Sequence, residues 1–364
     1  MNIAIFINTP AQLHFYRNIY YELERRGHSV HLLSRNYGET KDLVEELGIP
    51  SYFYSSPPTS KIGKMFSLPF DVMRAAMYLR DKKIDLITGF GTYDAYTSFL
   101  LRKLCIVFTD SEPMVNNFSY AIQYKLFIPF VDAVITPSSF RQNLGKKHIR
   151  VNSFKELAYL HPNYYHPNAD IFDLLGIAKN EEYVLLRFNA FDAVHDAGIK
   201  GFTDEDKIKL VNELEKYAKV FISSETGIPE EIKDRVARIP KSRIHDVLYY
   251  AKLLVTDTQT MTTEAALLRT PAIRCNKFID KNDMGNFIEL EKKYGLIFNY
   301  NNPKKAIEKA VELIQKPNLK EEWTKKSDIH LKDKTDVTAF MVKFIENYPE
   351  SLKNVEKSEG CDFN

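Results

Sequence analysis

At 364 residues, 44% hydrophobic and 27% charged, the chain has the balance of a soluble globular protein and the length for two domains of roughly 150 to 180 residues. A net charge of +2 gives no bulk attraction to nucleic acid, and no apolar run reaches the roughly 20 residues that a membrane span needs. Cys105, Cys275 and Cys361 are too scattered for a zinc site or a disulfide framework.

Charge is unevenly spread. Residues 1–160 carry 19 Lys and Arg against 14 Asp and Glu, and the rest carries 31 against 34, so the first half is mildly basic. Met1 to Asn8 shows no basic leader or small-residue cleavage site, and the expectation is a cytoplasmic protein.

The opening M-N-I-A-I-F-I-N reads as a strand, N-T-P-A-Q as a loop, and Phe15, Ile19 and Leu23 mark one face of a helix that stops at Gly27. V-H-L-L-S resumes as a strand, which makes a β-α-β unit and hence parallel pairing. The alternation continues with a helix at 41–47, a strand near Tyr52, a helix at 71–82, a strand at 85–88, a helix from Asp94, and strands at 105–108 and 133–135. Between Tyr159 and Asn168 the string Y-L-H-P-N-Y-Y-H-P-N breaks the pattern. The domain boundary is placed there, giving domains at 1–160 and 161–335 and a C-terminal helix with a frayed tail at 336–364, the helix expected to pack back on the first domain.

A second series follows, with strands at 183–187, 220–223, 253–256 and 272–274. Helices fall at 204–217, 229–236, 244–251, 262–268, 304–315 and 337–348. Strands that are apolar throughout, alternating with helices, predict two Rossmann-like, doubly wound parallel-sheet α/β domains facing a cleft.

The string L-L-V-T-D-T-Q-T-M-T-T-E-A-A-L-L runs strand, polar turn, helix. Ligands of open α/β sheets bind beyond the carboxyl ends of strands, and a helix start there offers N–H groups and partial positive charge to an anion such as a diphosphate. Asp257, Thr258, Gln259, Thr260 and Thr262 would line that site, the threonines as hydroxyl donors, and Glu264 would accept from ribose hydroxyls. The same string also fits a helix merely capped by Asp257 or Thr258, with Glu264 as a first-turn acid.

This turn resembles the signature of the glycosyltransferase-B superfamily, including the non-hydrolysing UDP-N-acetylglucosamine 2-epimerases. There, T-D-S-G-G precedes a helix with Glu-Glu before Ala. The resemblance implies that the turn holds a diphosphate and that Glu264, matching the second Glu, holds the ribose. Gln259 and Thr260 stand in place of Gly-Gly, and Thr263 in place of the first Glu.

The wider pattern is similar to a mostly archaeal family, with some bacterial members, that is defined by a conserved domain of unknown function within this superfamily. T-P-A-Q-L-H-F-Y, K-E-L-A-Y-L-H-P, R-F-N-A-F-D-A-V-H-D and L-Y-Y-A-K-L-L-V-T-D carry the likeness.

P-A-Q-L-H is similar to the P-A-Q-G-H loop of small-molecule UDP-glycosyltransferases, which implies that His14 is a base taking a proton from an acceptor hydroxyl; Leu13 replaces the Gly. A structural or helix-capping histidine is the other reading. Asp94, in G-F-G-T-Y-D, and Asp110 and Glu112, in F-T-D-S-E-P, are candidate acids. In the epimerases carboxylates in these loops move protons; an N-cap or a turn explains them equally.

Arg187 ends a strand, and the loop after it holds Asp192 and His195. A guanidinium there would neutralise a departing diphosphate. The alternative is a surface pair with Asp192 or Asp196. R-F-N-A departs from the His-Arg-Arg-Glu of an epimerase.

Residues 66–80, apolar on one face and preceded by Lys61 and Lys64, fit either a helix packed on its sheet or one resting on an anionic membrane beside a lipid-linked acceptor. His161 and His166 lack partners at metal-ligand spacing. The reading is a metal-independent, cofactor-free glycosyltransferase with a nucleotide-sugar donor, UDP-linked as the resemblance implies, and an acceptor that the sequence does not name. The alternatives are a nucleotide-sugar epimerase or hydrolase, or a non-catalytic sugar-nucleotide binding protein.

Overall fold

The computed structural model describes residues 1–55, 61–112, 118–188, 201–224, 227–276, 279 and 283–353. The chain divides into two compact units, Met1–Tyr164 with Thr335–Asn364, and Tyr165–Lys334.

The first unit runs β1 Asn2–Ile7, α1 Pro10–Arg25, β2 Ser29–Arg35, α2 Thr40–Leu47, β3 Tyr52–Ser55, α3 Lys61–Leu79, β4 Leu86–Gly89, α4 Tyr93–Leu101, β5 Leu104–Phe108, α5 Phe118–Phe127, β6 Ala133–Pro137, β7 His148–Val151 and α6 Leu157–Leu160. Its seven described strands lie in the order β3-β2-β1-β4-β5-β6-β7, and every described pairing is parallel. The strands of parallel sheets are covered on both faces, and β1 accordingly buries five consecutive residues, Ile3 to Ile7.

The order reverses between β1 and β4, so the turns that follow these two strands flank the switch point where such sheets take ligands. The first of those turns is tighter than expected. Pro10, its φ already helical, starts α1 directly after the N-cap Thr9, so His14 sits inside the helix and not in a loop.

The second unit runs α7 Ile171–Leu175, β8 Tyr183–Phe188, α8 Asp204–Leu214, β9 Lys219–Ser224, α9 Ile244–Tyr250, β10 Leu253–Thr256, α10 Thr260–Leu267, β11 Ala272–Cys275, α11 Gly285–Ile288, β12 Ile297–Tyr300, α12 Pro303–Ile314 and α13 Leu319–Lys332. Its five described strands order β12-β11-β10-β8-β9, again parallel, with the switch point between β8 and β10. The expected helix over 229–236 is a 3-10 turn, Glu230–Arg235.

The last helix, α14 Val337–Glu346, belongs to the first unit. Glu346 takes Arg26 at 2.7 Å and His28 at 2.9 Å, and Thr338 donates to the carbonyl of Ala158. The two crossings are short. Tyr164 donates to Asp336 at 3.0 Å within the first unit, while its neighbour Tyr165 donates to Asp246 of α9 at 2.9 Å within the second. Among the described residues no helix is long and apolar enough to cross a membrane.

Candidate functional site

In the second unit the last row in which all five described strands are in register is polar, Ser223, Arg187, Thr256, Arg274 and Asn299. Residues in register share a face, and the row two residues below is apolar: Phe221, Leu185, Leu254, Ala272 and Ile297. The sheet therefore ends in a band of donors above a greasy floor. Arg187 gives Nη1 to Ser223 Oγ at 2.7 Å. Arg274 is fully buried, gives Nε to Asn299 Oδ1 at 2.8 Å, pairs with Asp283, and lies 3.6 Å from the ring centroid of Phe287. Burial, opposed by Asp283, pulls its pKa down to about 10, and burial holds the Asp283 carboxyl above its ordinary value despite Arg274.

Beyond Thr256 the turn folds on itself. Thr256 Oγ1 accepts the Thr258 N–H at 2.9 Å and meets the Thr258 hydroxyl at 2.8 Å, and Thr262 donates to the Thr258 carbonyl at 2.7 Å. The N-cap of α10 is Gln259, whose side chain makes no capping bond, so neither Asp257 nor Thr258 is the cap. The N–H groups of Gln259, Thr260 and Met261 take no partner among the described residues. Thr258, Gln259 and Thr260 are half-buried, whereas Asp257 and Thr262 are buried. A glycine pair is absent here, and the open donors belong to positions 259 to 261.

Asp257 is held from two sides. Asn276 donates to its carbonyl at 3.0 Å, and a Cβ on Gly201 would stand 2.2 Å from its Oδ2. Glu264, one turn into α10, is buried and meets His245 Nε2 at 3.0 Å, so it is not a solvated first-turn acid. Asp192 and His195 lie outside the described residues, as does Asp196.

In the first unit His14 is buried with its ring 5.2 Å from that of Tyr159, over which Arg17 also lies at 5.9 Å. Thr9 is the cap of α1, so His14 does not fill that role. Asp94, fully buried at the second position of α4, accepts from Gly91 N–H at 2.9 Å, and a Cβ on Gly89 would come within 2.6 Å of it. Burial raises its carboxyl to about 6, against backbone N–H groups that pull it down. Its bonds go to backbone, so it does not orient His14.

Asp110 takes Lys155 at 2.6 Å, and Lys155 also reaches Glu156 at 3.5 Å. Glu112 accepts both the backbone N–H of Arg141, at 2.6 Å, and its Nε, at 3.0 Å. His14 and Asp110 thus both border the segment 155–159, one through Tyr159 and one through Lys155, while Glu112 is turned to the Arg141 loop. The chain's Asp-x-Asp string, Asp204-Glu205-Asp206, opens α8: Asp206 closes a capping box with Thr203 and Asp204 pairs with Lys207. Sequence reasoning missed Arg274, His245, Asn276 and Gly201.

The fold recurs in solved enzymes. A UDP-GlcNAc 2-epimerase from Neisseria meningitidis bound to UDP-GlcNAc superposes with a TM-score of 0.66 at 11% identity, over 95% of this chain and 99% of that one. The UDP-GlcNAc 2-epimerase from Methanocaldococcus jannaschii gives 0.62 at 16% identity, over 87% and 94%. MurG of Acinetobacter baumannii gives 0.56 at 13% identity, over 95% and 99%. At such identities the likeness is one of fold, the glycosyltransferase-B type. No curated protein matches the chain in sequence. Residues 106–349 match the family described as "Protein of unknown function (DUF354)", and the chain belongs to that family.

Proposed function

We propose that this chain is a glycosyltransferase that moves a sugar from a nucleotide diphosphate donor, UDP-linked, to an acceptor hydroxyl without a metal ion. The observation that carries the reading is the polar row across the switch point of the second unit, with Arg187 beside Thr256 and the uncapped start of α10 just beyond. Two kinds of positive potential converge there, a guanidinium and a helix start, which suits a diphosphate. The N–H groups of residues 259 to 261 hold phosphate oxygens, and Glu264, steadied by His245, accepts from the ribose.

In the first unit His14 removes the proton of the acceptor hydroxyl. The oxygen then bonds to the anomeric carbon as the bond to the diphosphate breaks, and Arg187 and the α10 start receive the charge left on the diphosphate. Asp110 and Glu112, engaged by Lys155 and Arg141, order the loop around them.

The outer faces of α3 to α5 carry exposed Phe70, Met73, Met77, Phe99, Leu100 and Leu126, with Arg74, Arg80, Arg102, Lys103 and Lys125 also exposed. An apolar stripe rimmed by cations suits an anionic lipid surface, and hence a lipid-linked acceptor. Co-sedimentation with phosphatidylglycerol vesicles, lost in Phe70→Ser/Met77→Ser, supports that partner; recovery of the wild type wholly in the supernatant refutes it.

A thermal-shift series with UDP, GDP, CDP and dTDP sugars tests the donor. A rise with UDP sugars, kept in EDTA, is expected; no rise with any of them at millimolar concentration defeats the reading. The epimerase alternative draws on the buried, raised carboxyl of Asp94, a group able to give and take a proton near neutrality. Incubation with UDP-N-acetylglucosamine alone separates the two: a 2-epimer in the product supports that alternative, and intact substrate supports transfer.

A further inference from the structure

Another group of side chains stands at the carboxyl ends of β1 to β4 and takes no part in the chemistry above. Arg35 is the last residue of β2. Its guanidinium carbon lies 5.3 Å from the ring centroid of Tyr37 and 5.4 Å from that of Tyr93. Its Nε is buried without a hydrogen-bond partner, and among the described residues no carboxylate pairs with it. Asp71 of α3 takes the hydroxyl of Ser55 at 2.9 Å and forms no ion pair with Arg35.

The backbone around Arg35 is irregular in a way that aims it. Ser34 pairs with Phe53 but Arg35 pairs with Ser55, so Tyr54 is an extra residue between them. Its ring is buried in the core and its hydroxyl donates to Asn8 Oδ1 just past β1. A bulge of this kind turns the side chains beside it. On the other flank Thr92, a β-branched residue, is held at φ +75°, which sets Tyr93 against the guanidinium.

An arginine clamped between two rings keeps its planar fork in one orientation, and the fork matches two oxygens of one anion. Arg35 is half-buried, with its Nε shut off from water, and an anion from outside would supply the counter-charge that the described residues do not. Tyr37, at 39% exposure, leaves the group open to solvent on one side.

We propose that Arg35, with Tyr37 and Tyr93, binds an anionic group, a phosphate or a carboxylate, on the acceptor. Naming the ligand an acceptor rests on the transferase reading; the anion site stands without it. The ring pair holds the guanidinium flat, and two N–H groups meet two oxygens of the ligand.

The test titrates glucose 6-phosphate and, separately, glucuronate into the full chain by ligand-observed NMR, with and without saturating UDP. One probe binds the wild type at millimolar concentration in the presence of UDP, and the arm that binds tells phosphate from carboxylate. Arg35→Gln weakens that probe about tenfold or more, and Arg35→Lys weakens it less, since the charge stays and the fork is lost. Tyr37→Ala, a change at an exposed ring, weakens it several-fold and serves should Arg35→Gln fail to fold. Equal binding by the wild type and Arg35→Gln overturns the site, as does binding of neither probe to the wild type. Loss of UDP binding alone would sink the donor reading and leave the Arg35 comparison intact.

Discussion

The imidazole Nε2 of His245, on α9, lies 3.0 Å from Oε1 of Glu264, on α10, and both side chains are buried. Contact with a ring nitrogen fixes the orientation of a buried carboxylate, and in the proposed donor site that orientation is what meets the ribose. Glu264→Ala should therefore raise the Kd for UDP by about 10- to 100-fold, the range expected for hydrogen bonds to a charged group worth roughly 1.5–3 kcal/mol. Glu264→Gln should lose less, and His245→Ala an intermediate amount through misplacement of the acid. Calorimetric titration with UDP decides; wild-type affinity in Glu264→Ala would remove it from the donor site.

Gly201 makes a second, purely steric prediction. Its Cα packs so closely on Asp257 that an added Cβ would come within 2.2 Å of Oδ2 and 2.7 Å of Cβ. Gly201→Ala must push the β10 turn aside. The expected result is weaker UDP binding, with a loss of stability of about 1–3 kcal/mol typical of overpacking. Gly227→Ala, with nothing within 4 Å, is the matched control and should behave as wild type. Unchanged affinity and unchanged Tm in Gly201→Ala would mean that this approach is not needed.

Arg187→Ala should separate binding from chemistry. The guanidinium belongs beside charge that grows as the diphosphate departs, so kcat should fall about 100-fold or more while KM for the donor changes little. An equal loss in KM with kcat preserved would make Arg187 a ground-state binder instead.

Much of the fold was legible because buried parallel strands read as apolar runs, as in I-A-I-F-I and L-L-V-T, and turn residues separate them from helices. Elements at the margins were not. β7 and β12 are four-residue edge strands, and H-I-R-V and I-F-N-Y are too short to carry a period. α13 hides because its buried stripe is Leu319, Trp323, Ser327 and His330, only half of it apolar. The start of α3 at Lys61 was obscured by Pro69, which the helix accommodates in its interior.

The site divides on the same principle. The turn at Thr256 is local, so strand, turn and helix could be read off one string. Arg274 and His245 become partners of that turn only through strand register and helix packing, which no spacing in the chain reveals. Asp110 and Glu112 do lie in a loop, but a loop position does not say whether Asp110 faces a substrate or Lys155.

Asp94 should make stability depend on pH in a definite direction. Its folded carboxyl sits at about 6 against an ordinary 3.8, so the native state holds a proton that the unfolded chain releases. Its contribution is full below about pH 4 and is lost as pH rises through 6. Asp94→Asn should therefore unfold at higher denaturant than wild type at pH 7.5, by an amount of order 2–3 kcal/mol, and match it near pH 4. Equal stability at both pH values would show that the buried carboxyl is not strained.

His148 and His330 work in the opposite sense. His148 Nδ1 accepts the Leu144 N–H at 3.2 Å while Nε2 meets Thr136 Oγ1 at 2.8 Å, an arrangement that requires the neutral ring. Burial, with Arg150 adding to it, lowers its pKa to about 4; burial and Lys334 lower that of His330 to about 3. Both folded values lie below the ordinary 6.5, so the unfolded chain takes up protons first as pH falls. Their stabilisation is complete above pH 6.5 and drains away toward pH 4 and 3. For the more deeply buried His330 the slope approaches about 1.4 kcal/mol per pH unit, and Asp94 offsets part of the total between pH 6 and 4. Denaturant midpoints measured from pH 7 to 4 should fall in the wild type and fall less steeply in His330→Gln, once its lower starting stability is subtracted. A parallel decline in both proteins would show that His330 does not titrate between the folded and unfolded states in this range.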